Sequence, residues 1–133
     1  MVSFEFLVPK RPLSHQAKSS AHKNEWRDYV YGRAFREWQA PPIYNTKLRL
    51  TIVYICEEDP PDINNIIKPV QDSLSTLVYS DDLIVCDVQG SLRMVDDLID
   101  LTGLPPLLQD AILIGFDCLY IRIDRSRNLR ELV

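Results

Sequence analysis

The sequence predicts a two-layer α/β (α+β) fold, a small mixed sheet with helices packed on it, in one domain spanning residues 1–133. Three observations predict it. Strand-like and helix-like periodicities alternate in the order β-α-β-α-β-β. Each segment carries one dominant apolar face. A length of 133 residues suits one core, and 46% hydrophobic with 26% charged residues is the composition of a globular chain, not a disordered one.

Residues 2–8 (VSFEFLV) alternate as a first strand. Residues 9–20 hold two prolines, three serines and three Lys or Arg, and read as a basic irregular loop. Residues 21–38 read as a helix, with Trp26, Tyr29, Val30, Arg33 and Phe35–Trp38 as an imperfect stripe, Gly32 as its weak point and Pro41-Pro42 as its end. Residues 47–56 form the clearest strand, with Leu48, Leu50, Ile52, Tyr54 and Cys56 on one face. After a turn at 57–62, residues 65–78 read as a second helix with Ile67, Val70, Leu74 and Leu77 on one face and Pro69 tolerated in its first turn. Residues 83–95 read as a strand bent at Gly90. Residues 96–112 are acidic and Leu-rich, a short helix and loop around Pro105-Pro106. Residues 113–123 supply the last strand, and the tail from Asp124 reads as charged and frayed.

Several function classes fall away. No apolar run reaches the roughly 20 residues of a membrane span, so no membrane role is expected. Met1–Pro9 lacks the basic, apolar and small-residue order of a secretory leader, so the cytoplasm is the expected location. Cys56, Cys86 and Cys118 form no CxxC pair and are odd in number, so neither a zinc site nor a disulfide framework is expected; buried small apolar side chains explain them better. His15 and His22 stand alone in polar sequence and receive no catalytic role.

Charge is unevenly spread. The net charge is -4, yet residues 1–49 carry nine Lys+Arg against four Asp+Glu. Residues 50–124 carry three against fourteen, and residues 125–133 three against one. A basic arm and tail around an acidic middle suit a protein that grips phosphates and holds cations. A solvated surface gives the same segregation. Lys10, Arg11, Lys18, Lys23 and Arg27 are the phosphate-contact candidates. Trp26, Tyr29, Phe35 and Trp38 follow helical spacing, which favours core or dimer interface over base stacking.

The informative stretch is Pro60 to Val85, PPDINNIIKPVQDSLSTLVYSDDLIV. Asp62 lies just before a helix; Asp81-Asp82 lie just after it and lead into a strand. If the strands at 47–56 and 83–95 are neighbours, both helix ends are tied to one sheet and Asp62 and Asp82 converge. Such carboxylates repel each other unless a hard cation sits among them, and Mg²⁺ takes oxygen ligands and keeps several waters. Lys68 is placed to offset charge on a phosphate.

This segment resembles the RusA-like Holliday junction resolvases. Their D-x-D-N-x-x-K run is matched by Asp62-Ile63-Asn64-Asn65-Ile66-Ile67-Lys68, their helical Asp by Asp72, and their D-D before a strand by Asp81-Asp82. The weaker likeness covers most of the chain. The resemblance implies a Mg²⁺-dependent endonuclease (Mn²⁺ being the alternative ion) that nicks branched, four-way DNA symmetrically as a homodimer. It assigns catalysis to Asp62, Lys68 and Asp82, metal ligation to Asp62, Asn64 and Asp82 with Asp81 beside them, phosphate contact to Lys68, and supporting places to Asn65 and Asp72. Two departures stand out. Asn64 replaces an aspartate, so the site loses a full charge, and the alternative is a member that binds branched DNA without cutting. Asn64 also suits a helix N-cap, and Lys68–Asp72 suits a plain i,i+4 pair. Residues 96–112 read as an insertion relative to compact members, and 125–133 as a charged tail.

Overall fold

The structure, a computed structural model, describes residues 3–12 and 20–133, and the side chains within them except those of residues 20–23. Its elements are β1 (Ser3–Val8), α1 (Ser20–Glu37), β2 (Leu48–Cys56), α2 (Asn64–Leu74), β3 (Val85–Met94), α3 (Pro106–Leu113), β4 (Cys118–Arg125) and α4 (Leu129–Leu132). The strands form one mixed sheet in the order β1-β4-β2-β3. β4 pairs antiparallel with β1 and β2, whereas β2 and β3 run parallel. That parallel pair needs a crossover, and α2 is the crossover helix.

Strict alternation makes one sheet face wholly apolar. Leu48, Leu50, Ile52, Tyr54 and Cys56 of β2 are each fully buried, and Phe4, Phe6, Leu119, Ile121 and Ile123 extend that face along β1 and β4. Two helices close it. α1 contributes Trp26, Val30 and Ala34, and α2 contributes Ile66, Val70 and Leu74, each set at helical spacing. On the opposite face α3 covers one half, packing Leu108 and Ala111 on Cys118 and Tyr120 with Leu7 and Val53 alongside. The other half is charged. Arg122 reaches Glu5 at 3.9 Å and Asp124 at 3.5 Å, and the Tyr120 hydroxyl donates to Glu5 at 2.5 Å.

Several elements differ from the sequence reading, each for a local reason. α2 starts at Asn64 and ends at Leu74, because Ser75 is extended and Thr76 takes φ +70°. Its buried stripe is therefore Ile66, Val70 and Leu74 with Pro69 and Ser73, while Ile67 is only half-buried. Pro69 stands sixth in the helix, past the first turn. β3 is irregular at Cys86 rather than bent at Gly90: the register steps from Leu48↔Val85 to Arg49↔Asp87. Gly90 serves close approach, since a Cβ there would lie 3.0 Å from Ile63 Cγ1 and 3.2 Å from Ile67 Cδ1. β4 begins at Cys118, not at residue 113, because α3 runs through Leu113 and Gly115 turns the chain at φ +81°. Phe35 leaves the expected α1 stripe; it is 59% exposed and stacks on Tyr31 at 5.9 Å. The tail is tied down rather than frayed: Ser126 N–H donates to Lys47 O at 3.0 Å, and Arg127 reaches Asp124 at 3.1 Å.

Candidate active site

The site gathers on the exposed side of α2. Lys68 is the centre. Its Nζ lies 2.9 Å from Asp72 Oδ1, one helical turn on, and 3.6 Å from Asp82 Oδ2 across the chain reversal. Asp72 also pairs with Arg27 of α1 at 3.7 Å, so charges alternate along the row Arg27–Asp72–Lys68–Asp82. Asp72 first, and then Asp82, hold the Lys68 ammonium above its usual pKa, so it stays cationic at neutral pH.

The reversal that delivers Asp82 is built from backbone bonds. Ile43 N–H donates to Val78 O, and Ser80 N–H donates to Ile43 O, both at 2.8 Å. Tyr79 is fully buried beneath the cluster and its hydroxyl donates to Gln71 O at 2.8 Å. Burial pushes its phenol pKa up, and the charges of Asp82 and Asp72 add to that shift. Asp81 Oδ1 accepts from Leu83 N–H at 2.9 Å and caps a single 3-10 turn, Asp82–Ile84. Asp82 Oδ1 is buried against the Tyr79 floor and, among the described residues, meets no hydrogen-bond donor at full bonding geometry.

The other expected ligands sit at the head of α2. Asp62 Oδ1 accepts from Asn64 N–H at 3.0 Å, so Asp62 rather than Asn64 engages the helix start. Ile63 occupies the N-cap position and Asn64 is the first helical residue, which overturns Asn64 as a cap. Asn64 is exposed and Asn65 half-buried. Asn64 and Lys68 are one turn apart, about 6 Å along the axis. The structure thus unites Lys68, Asp72 and Asp82, and sets Asn64 a turn up the same helix with Asp62 just ahead of its start. Among the described residues, no group of three or more His, Cys, Asp or Glu stands close enough to hold a metal. Substitution of an amide for a carboxylate at position 64 takes one member out of any such group. The remaining donors are all oxygens, and the Asp82 carboxylate is suited to a hard cation.

The cations divide by partner. Lys10 Nζ lies 4.9 Å above the Tyr29 ring. Arg11 donates to Glu58 O at 2.6 Å and Asp59 O at 2.5 Å, and Arg27 donates to Asn24 Oδ1 at 2.6 Å. Lys18 lies outside the described residues, as does the Lys23 side chain. Sequence reasoning missed Tyr79 beneath the cluster, Arg27 as the partner of Asp72, and Asp117, which accepts from Tyr54 OH at 2.7 Å and Glu57 N–H at 3.1 Å. These pairings join distant segments, and no local pattern announces them. No helix among the described residues is long and apolar enough to cross a membrane.

No curated protein matches the chain in sequence. The family model described as endodeoxyribonuclease RusA matches residues 9–98, which takes in the basic arm, α1, β2, α2 and the Asp81-Asp82 turn. That span covers more than half of the chain and every residue of the lysine–carboxylate row, and on that ground the protein belongs to the RusA endodeoxyribonuclease family.

Proposed function

We propose that the protein is a divalent-metal-dependent, structure-selective endonuclease that resolves four-way DNA junctions by paired symmetric nicks as a homodimer. The observation that carries this reading is the Lys68 ammonium 3.6 Å from an Asp82 carboxylate whose other oxygen is buried without a partner among the described residues. A phosphodiester needs a cation beside it as charge develops, and Lys68 is exposed enough to meet one. Asp62, Asp82 and the Asn64 carbonyl, with Asp81 beside them, would hold Mg²⁺, or Mn²⁺ in its place. When bound, the ion supplies polarisation of the phosphate and an acidified water. Asp72 and Arg27 position Lys68 by alternating charge, and Tyr79 gives Asp82 a dry floor. Lys10, Lys18 and Lys23 approach the DNA backbone, with Lys68 at the cut itself. Residues 96–112, which include all of α3 but its last residue, act as an insertion that adjusts partner choice. We place the protein in the cytoplasm.

The test is nicking of a labelled, immobile four-way junction with and without Mg²⁺, beside a linear duplex. Metal-dependent symmetric nicks in the junction alone are expected. Asn64 favours a second reading, a member that binds branched DNA without cutting. Tight junction binding with no nicks at any Mg²⁺ or Mn²⁺ concentration selects that reading.

A further inference from the structure

Arg11 stands at the root of the basic arm, where a phosphate contact would be expected. Its guanidinium is used otherwise. Nη1 donates to Glu58 O at 2.6 Å and Nη2 to Asp59 O at 2.5 Å, a fork over two successive carbonyls. Nη1 also lies 3.9 Å from Asp117 Oδ1. That same Asp117 oxygen accepts from Tyr54 OH at 2.7 Å and from Glu57 N–H at 3.1 Å. Three segments therefore meet on one turn: the arm after β1, the loop before β4, and the chain leaving β2. The turn needs holding. Asp59 takes φ +51°, a left-handed conformation that an aspartate adopts at some cost, and Pro60-Pro61 follow without backbone donors of their own. The next residue is Asp62, whose carboxylate meets the head of α2.

We infer that Arg11, oriented by Asp117, is a positioning residue that fixes the 57–61 turn and so aims Asp62 into the site, and that it does not act as a phosphate contact. The fork explains why arginine is used: a lysine has one point of charge and cannot span two carbonyls. The arrangement also fastens the arm to the active-site turn, so the cations that follow Arg11 in sequence start from a fixed point. This inference rests on the nuclease reading for its effect on cutting, but the clamp itself is measurable without any cutting.

The experiment compares full-length Arg11→Ala, Arg11→Lys, Asp117→Asn and, as control, Lys10→Ala. Hydrogen exchange on the free protein comes first. Faster exchange at residues 57–62 is expected in both Arg11 variants and in Asp117→Asn, with Lys10→Ala unchanged. Unchanged exchange at 57–62 in Arg11→Ala overturns the clamp, whether or not the protein cuts DNA. Junction affinity against salt comes second. A phosphate contact removes about one unit from the slope of log affinity against log salt. The expected result is an unchanged slope for Arg11→Ala, with kcat for nicking down about tenfold and KM little altered, and no rescue by Arg11→Lys. A slope reduced by about one with kcat intact assigns Arg11 to the DNA backbone and overturns the inference. Should Arg11→Ala fail to fold, Arg11→Lys carries the same comparison, since it keeps the charge and removes the fork, and Asp117→Asn, which also alters the acceptor of Tyr54 OH and Glu57 N–H, supports it.

Discussion

The two ends of α2 serve one proposed site by different means. At the Asp82 end, charge is matched by charge: Arg27, Asp72, Lys68 and Asp82 alternate, and one carboxylate oxygen is left without a partner among the described residues. At the Asp62 end, a backbone amide is the partner, and the neighbouring position holds Asn64, a neutral amide. The Asp82 end is held by a buried tyrosine and a short backbone ladder to Ile43. The Asp62 end is seated through Ile63 and Ile67 on the bare backbone of Gly90. The difference teaches where sensitivity should lie. One end holds the charges that chemistry uses; the other sets how strongly a cation is held.

The largest effect belongs to Asp82. Asp82→Asn keeps the shape and removes the charge, and nicking of a four-way junction should fall by about a hundred- to a thousand-fold, the scale for one preorganised charged group. Junction affinity should hold or rise, because a negative charge has left the DNA surface. Melting should change little, as an ion pair this exposed contributes at most about 1 kcal/mol. Single-turnover nicking beside a binding isotherm checks both arms.

Asn64→Asp tests the weaker end directly. Restoring one carboxylate charge adds on the order of a kilocalorie or more to cation binding, so the Mg²⁺ concentration for half-maximal nicking should fall about tenfold. If the requirement does not move while Asp82→Asn abolishes cutting, the two ends do not share an ion, and the comparison fails at its root.

Gly90→Ala separates the ends without touching a charge. The added methyl would lie 3.0 Å from Ile63 Cγ1 and 3.2 Å from Ile67 Cδ1, so the side chains at the head of α2 must give by a few tenths of an ångström. Overpacking of this kind costs about 1–3 kcal/mol, readable from urea unfolding. Ile63 lies between Asp62 and Asn64, so the Mg²⁺ requirement should rise several-fold.

Much of this was legible in the sequence because local chemistry dominates there. The alternation of β2 and the Asp62–Lys68–Asp82 spacing name the strand, the helix and the family. Asp72 was readable as a partner of Lys68 because i,i+4 pairs are local. What escaped was set by distance or by the turn of the chain. Thr76 at φ +70° ends α2 before its periodic pattern ends, and nothing in the pattern foretells that. Arg11 and Arg27 looked like free cations, since their partners lie 47 and 45 residues away, at Glu58 and Asp72.

The smallest effect is expected at Asp72, and it is the most informative about how the Asp82 end works. Asp72 lies between two cations, Arg27 at 3.7 Å and Lys68 at 2.9 Å, and its side chain is one-third exposed. Asp72→Asn should therefore cost well under 1 kcal/mol of stability after solvent screening. Its removal takes away the largest influence holding the Lys68 pKa up, so that pKa should drop toward its ordinary value while lysine stays protonated at neutral pH. If Asp72 only shares a surface pair, nicking will not change at any pH. If it positions Lys68, the ammonium swings between Asp82 and solvent, and nicking should fall a few-fold with the Mg²⁺ requirement unaltered. That separation of rate from metal requirement is the mark of the Asp82 end, and it is the opposite of what Asn64→Asp and Gly90→Ala should do at the other.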